Sequence, residues 1–431
     1  MLKLLFADET GRVYEHPELR PLVWEGADLP VPIPAHTTLA ALPGRRPLGV
    51  DASGGVVELR EMRLGRRLVK PNAVAAVLPP GWTRSELPAF HKSAVAPLLP
   101  QWAYTAAAWD SRSNCHVVWA LHTDRRAHWD PAAHSTPDLP GLVERRLLRE
   151  ETPLLRQLAK CALEYRCFTA QNIFYARDEG AIPASTGCNA RCVGCISEQP
   201  PEGPPSSHER IDDAPDATSM ADIGIAHLRA APGRTMVSFG QGCEGEPLTR
   251  AQEIARAIRL MRAQTSRGSI NINTNGSLPG ALSLLIDAGL DACRISLNSA
   301  HKPLYEAYYQ PVKYGWEDVA QSIALAKRRG IYLALNLLTF PGVTDAEGEV
   351  EKLCRIVPFV DQVQTRSLAI DPDQYLAVAR AHGASGPRLG LREMLRRLKR
   401  ARPGLVIGNF ARGLDERNPG TRSGSPDLSA T

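Results

Sequence analysis

From residue 181 onward, short apolar runs alternate with longer stretches whose apolar residues recur every three or four positions. The short runs TMVSF (235–239), SININ (269–273), ACRISL (292–297), YLALNLLT (332–339) and QVQTRS (362–367) predict strands. Between them AQEIARAIRLMRAQ, LPGALSLLIDAG, WEDVAQSIALAKRRG and AEGEVEKLCRIV carry helical spacing. Repeated strand–helix units predict a parallel sheet covered by helices. With GAIPAS (180–185) as a first strand, six strands are expected over 181–410. Six are too few to close an eight-stranded barrel. The fold class is therefore α/β, a partial (β/α)6 TIM-like barrel whose ligands sit at the carboxyl ends of the strands.

Residues 1–140 follow another pattern. WAYTAAAWD and CHVVWALHTD flank the polar turn SRSN and read as a hairpin, and prolines recur at short intervals. A β-rich accessory domain is expected there. It holds six of the seven tryptophans, so core packing or a ligand platform is the question they pose, with packing the commoner role. Residues 141–180 place leucines at helical spacing among charges, broken by Pro153, and read as a helical connector. The Pro-, Ser- and acid-rich stretch 197–218 reads as a long loop, and the tail 411–431 as disordered.

Composition narrows the class. A net charge of +5 over 431 residues hints weakly at an anionic partner, and without a Lys/Arg run nucleic acid is not indicated. No stretch approaches the roughly 20 apolar residues of a membrane span. The apolar start MLKLLF is too short for a signal peptide, so no membrane association and a cytoplasmic location are expected. Nine cysteines, an odd count, fit free thiols and metal ligands better than a disulfide scaffold.

Three of the nine stand together in CNARCVGC as Cys188, Cys192 and Cys195, directly after the first expected strand. Thiolates favour zinc, copper(I) or iron–sulfur clusters. A structural zinc takes four protein ligands, but there is no second CxxC, and His208 lies in the Pro-rich loop. A [4Fe–4S] cluster also takes four ligands, so three cysteines leave one iron open, the mark of a catalytic metal. Gly187, Asn189 and Gly194 let the backbone turn sharply around the sulfurs.

This C-x3-C-x2-C after a first strand resembles the signature of the radical SAM superfamily. The resemblance implies three thiolates holding three irons of a [4Fe–4S] cluster, with S-adenosylmethionine chelating the fourth iron. It further implies that one-electron reduction cleaves the sulfonium, and that the 5′-deoxyadenosyl radical abstracts hydrogen from a substrate. Further segments are similar to family motifs in order along the chain. Gly245 and Glu246, in EGEP, match the GGEP motif that contacts the cosubstrate's amino group. Asn275 in INTNGS, Ser296 and Asn298 in RISLNS, and Asn336 in LALNLLTFPG fall at the strand ends that line the cosubstrate pocket in relatives. A low-potential flavodoxin- or ferredoxin-type electron donor is implied as partner.

Two departures from the family pattern stand out. Gly194 replaces a bulky residue before the third cysteine, which leaves adenine packing to Val193 or Ile196. Glu244 replaces the first glycine of GGEP, putting a carboxylate near the pocket or turning it out into solvent. Cys243 is a candidate hydrogen donor, persulfide carrier or ligand, or simply a packing residue; Cys293 is expected to pack. Arg366, Asp371, Arg294, Tyr308 and Tyr309 are candidates for docking a substrate, with ion pairing or packing as alternatives. The histidines of LHTDRRAHWDPAAH are expected in a solvated loop. No catalytic acid or base and no substrate is legible. The rival readings are a zinc- or cluster-stabilised binding module without catalysis, and a barrel that keeps its cluster as a redox sensor.

Overall fold

The structure is a computed structural model that describes residues 1–26, 28–230 and 235–413. The expected disordered tail falls, from residue 414 on, outside the described residues. Seven parallel strands form the carboxyl-terminal sheet in sequential order: β1 (Glu179–Ala181), β2 (Met236–Phe239), β3 (Ser269–Thr274), β4 (Ala292–Leu297), β5 (Tyr332–Thr339), β6 (Gln362–Ser367) and β7 (Val406–Gly408). β1 and β7 do not pair with each other, so the curled sheet is a half-barrel.

The expected six strands are all present, and β7 adds a seventh that three residues were too few to announce. β1 is shorter than the expected 180–185, because Ile182–Ser185 leave the sheet toward the cysteines. Helices cover the outside: α1 (Ala217–Ala230), α2 (Ala251–Gln264), α3 (Pro279–Ala288), α4 (Lys302–Tyr309), α5 (Trp316–Arg328), α6 (Glu347–Ile356), α7 (Pro372–His382) and α8 (Leu391–Ala401). No helix among the described residues is long and apolar enough to cross a membrane.

Strand alternation decides what faces inward. Val237, Phe239, Ile270, Ile272, Cys293 and Ile295 belong to the apolar core that the helices cover. The alternate positions carry Ser238, Asn271, Asn273, Arg294, Asn336, Gln364 and Arg366, so the lumen is polar along most of its length. A half-barrel that buries this many hydrogen-bonding groups spends its interior on recognition instead of packing.

His227 on α1 is buried, with its Nε2 3.1 Å from the Asp178 carbonyl oxygen. Burial holds its pKa below the ordinary 6.5. The unfolded chain thus binds a proton there that the native state refuses, and stability should fall as pH drops below about 6.5. A scan of thermal midpoint against pH should show this limb, and His227→Gln should flatten it.

The amino-terminal region is β-rich as expected. Its main sheet pairs Leu2–Ala7, Asn72–Val77, Tyr104–Asp110 and Cys115–Val118 antiparallel, the last two being the expected hairpin. Trp119 and Trp129 are buried core residues, whereas Trp102 is 47% exposed. Helices Leu139–Arg149, Pro153–Leu163 and Phe168–Tyr175 make the connector.

The two parts are bolted together by polar contacts. Thr83 bonds the Thr365 hydroxyl at 2.8 Å, and Arg84 donates to the Leu368 carbonyl at 2.6 Å. Arg388 bridges Glu86 and Asp345. Asp371, a candidate docking group in the sequence, is instead buried against Arg45 at 2.5 Å. It also accepts from the Leu99 and Asp373 amides. Its charge holds the domains together and does not face a cavity.

Candidate active site

The chain leaves β1 and passes at once under the turn that follows β2. There the Glu244 carboxylate accepts from the amides of Ala184, Ser185 and Gln241 at 2.7, 2.9 and 2.6 Å. Burial raises its pKa to about 7 against the pull of those bonds. Of the two expected placements, Glu244 lies beside the pocket, but its oxygens are spent on backbone. It anchors the loop that carries the cysteines.

The next two residues complete the clamp. The Gly245 amide donates to the Ser185 carbonyl at 2.8 Å and the Glu246 amide to that of Gly187 at 2.9 Å. A Cβ on Gly245 would lie 1.9 Å from the Gly187 oxygen, so only glycine permits this approach. Gly245→Ala should therefore push the cysteine loop off its seat. We expect a loss of about 1–3 kcal/mol in stability and reduced iron retention after reconstitution, read by denaturant unfolding and iron per chain.

Glu246 accepts from the Leu248 amide, the Thr274 hydroxyl and the Asn275 amide at 3.0, 2.5 and 2.8 Å. Burial likewise raises it to about 7. Its carboxylate is a brace between the β2 turn and the end of β3. Asn275 is also a brace: it donates to Asn189 at 2.9 Å, and Asn189 donates to Ser277 at the same distance.

Along its other side the cysteine loop forms a short ladder with the end of α4. Arg191 and Val193 donate to the carbonyls of Tyr309 and Tyr308, and Val312 donates to that of Asn189. This explains the glycine before the third cysteine. The Tyr308 hydroxyl would lie 2.8 Å from a Cβ at Gly194, so the tyrosine occupies the volume a bulky residue would need. Tyr308 and Tyr309 are thus buried supports under the loop. From the amino-terminal domain, the Gln101 amide reaches the Cys195 carbonyl at 2.8 Å.

All three cysteines are free, with Cys188 exposed and Cys192 and Cys195 partly buried. The Cys192 thiol is pushed well above its ordinary pKa, first by burial and then by Cys195 and Cys188 beside it. Among the described residues no three His, Cys, Asp or Glu side chains converge on one point as ligands of a single metal ion would. A tetrahedral zinc needs its thiolates all within about 2.3 Å of one ion, whereas a cubane takes one thiolate on each of several irons. Three soft donors in one loop are the set a [4Fe–4S] cluster takes when one iron is left open.

Below the loop a cavity of about 430 Å³ runs into the barrel. Cys195, Ile196 and His208 line its upper part, and Glu179, Arg294, Ser296, Asn336 and Arg366 its lumen. Of the residues expected at a cosubstrate pocket, Ser296 and Asn336 face this cavity. Gly245, Glu246 and Asn275 instead hold the loop, as described. Asn298 is fully buried one residue past β4 and donates to the Tyr375 hydroxyl at 3.1 Å. Ile196 is 38% exposed on the cavity wall, whereas Val193 packs against the core.

The remaining candidates sort by burial. Cys243 and Cys293 are core residues. His134 is buried and stacks on Phe168 with ring centroids 3.8 Å apart, whereas His122 is exposed, as expected of a solvated loop, and stacks on Trp82 at 4.3 Å. Arg294 does face the lumen, where it pairs with Glu179 at 3.0 Å. Sequence reasoning missed Glu179, Gln101 and Gln364. Only Gln364 carried a signal, since it shares the strand parity of Arg366.

Residues 182–354 match the family model described as the radical SAM superfamily. A curated relative, GTP 3′,8-cyclase of Chlorobaculum tepidum, is 26% identical over 172 residues, covering 38% of this chain and 46% of the relative. Among solved structures, SuiB of Streptococcus suis bound to S-adenosylmethionine aligns over 59% of this chain and 50% of its own, at 16% identity and a TM-score of 0.37. A spore photoproduct lyase aligns over 64% and 96%, at 15% identity and a TM-score of 0.41. The chain thus spans about half the length of the curated relative it matches.

Proposed function

Residues 182–354 are a radical SAM superfamily domain, and from that premise we propose that Cys188, Cys192 and Cys195 hold a [4Fe–4S] cluster in a radical SAM enzyme. Enzymes of this family use such a cluster with S-adenosylmethionine, which when bound supply a 5′-deoxyadenosyl radical that abstracts hydrogen from a substrate. One observation carries the reading: the loop of three free thiols, clamped by Glu244 and Gly245, borders through Cys195 on a cavity whose lumen carries polar and charged side chains. A zinc-stabilised module has no use for that cavity. The cavity also weighs against a sensor, which needs no room for a substrate.

The chain's own residues divide the work. Glu244, Glu246 and Asn275 hold the loop in register with the ends of β1 and β3. Gly245 and Glu246 present their turn beside Gly187, where the cosubstrate's amino group is assigned. Ser296 and Asn336 offer a hydroxyl and an amide to the cosubstrate from the cavity wall, and Ile196 an apolar face for adenine. Exposed Cys188 marks the side from which a low-potential donor of flavodoxin or ferredoxin type delivers electrons. We assign 1–140 as an accessory domain, 141–180 as connector and 181–410 as the catalytic barrel.

The test is anaerobic. Protein reconstituted with iron and sulfide, reduced with dithionite and given S-adenosylmethionine should form 5′-deoxyadenosine. A full, reducible cluster that yields none would overturn the enzymatic reading in favour of the sensor.

A further inference from the structure

We propose that the substrate of this site is an anion, and that Arg366 binds its carboxylate or phosphoryl oxygens in the barrel lumen. This rests on the enzymatic reading above and adds the chemical class of the molecule acted upon.

Arg366 on β6 and Arg294 on β4 both face the cavity. Two guanidiniums in one lumen need compensation, and only one has it. Glu179 is taken by Arg294 at 3.0 Å and also accepts from Ser238 at 2.6 Å. Asp124, the other carboxylate whose charge reaches Arg366, is held by Arg126 and by the amides of Asn409 and Phe410. Among the described residues, neither is within ion-pair distance of Arg366. Burial and the like charge of Arg294 press on it, lowering its pKa to about 10, so it remains a cation at neutral pH.

The neighbouring positions are also unsatisfied. Gln364, two residues before Arg366 and 0% exposed, has neither amide atom hydrogen-bonded. Its register partner across β5 is Asn336, whose Oδ1 is buried without a donor. Buried polar groups are nearly always paired, so orphans clustered beside an uncompensated guanidinium mark a place where something polar belongs. A guanidinium withdrawn from bulk water, presenting a fork of N–H donors, selects a carboxylate or phosphate bidentately. A molecule anchored there extends along the cavity toward Cys195, which leaves its far end at the loop where hydrogen abstraction is assigned.

The probes are inorganic phosphate and succinate, titrated by calorimetry into full-length reconstituted protein and into Arg366→Gln and Arg366→Lys. S-adenosylmethionine affinity is measured in parallel. At least one anion should bind the wild type, with affinity reduced at least about tenfold in Arg366→Gln. Arg366→Lys, which keeps the charge but not the fork, should fall between them and covers the case in which the glutamine variant does not fold. Preference for phosphate assigns a phosphoryl group and preference for succinate a carboxylate. Equal binding by all three proteins, or no binding by the wild type, overturns the proposal. So does a matching loss of S-adenosylmethionine affinity, which would assign Arg366 to the cosubstrate. Failure to form 5′-deoxyadenosine with anion binding intact would sink the enzymatic reading alone.

Discussion

Replacing Cys192 by alanine should strip the protein of iron and of 5′-deoxyadenosine production together. Cys192 is the middle thiol of the three and is packed against the core above Tyr308 and Tyr309. Its removal leaves two donors and opens a small space that the tyrosines already frame. Iron after reconstitution should fall from about four per chain to a fraction of one. Product should drop at least about a hundredfold, since altering even an outer-shell partner of a metal ligand costs 10–100-fold. Stability of the apo chain should barely change, because a half-buried thiol contributes little packing. Cys293→Ala is the contrasting variant: fully buried on the helix-covered face of β4, it should cost stability and leave iron content alone. A Cys192 variant that kept its iron and its product would show that the ligands lie elsewhere.

The largest stability effect is expected far from the cysteines, at Asp371. Asp371→Ala leaves the Arg45 guanidinium, 0% exposed, without its 2.5 Å partner. It also removes the acceptor for the Leu99 amide and the cap of α7. Among the described residues, Asp373, at 3.5 Å from Nε, is then the one carboxylate left paired with Arg45. Breaking a buried pair on one side costs about 3–5 kcal/mol, and urea unfolding followed by tryptophan fluorescence reads it directly. Replacing both partners, as Arg45→Met with Asp371→Leu, should recover most of that loss, because no charge is then stranded. A single variant within about 1 kcal/mol of wild type would mean that water already reaches Arg45.

The contrast between these two residues shows what the sequence could reveal. The cysteines were legible because their chemistry is local: three thiols in eight residues need no tertiary information. The strands were legible for a similar reason, since period-two alternation is written within each segment. Asp371 was not, because its partner lies 326 positions away in another domain. That Asn298 reaches Tyr375 was not legible either, as β4 ends at Leu297 and the following turn carries the amide there. Helix α1 was missed because it emerges directly from the Pro-rich loop, whose composition masked the apolar spacing of Met220, Ile223, His227 and Leu228. Glu246 was legible as part of a motif, but that its carboxylate accepts from Thr274 and Asn275 at the end of β3 needed the fold.

Among the described residues, the first and last strands of the half-barrel pair with another strand on one side only, and both are three residues long, against six to eight for β3 to β6. An exposed strand edge is a template on which a foreign chain can add by backbone pairing. Here each rim offers too few amides and carbonyls in line to hold such a guest. The molecule can therefore keep its barrel open in a crowded solution without inviting aggregation along the seam.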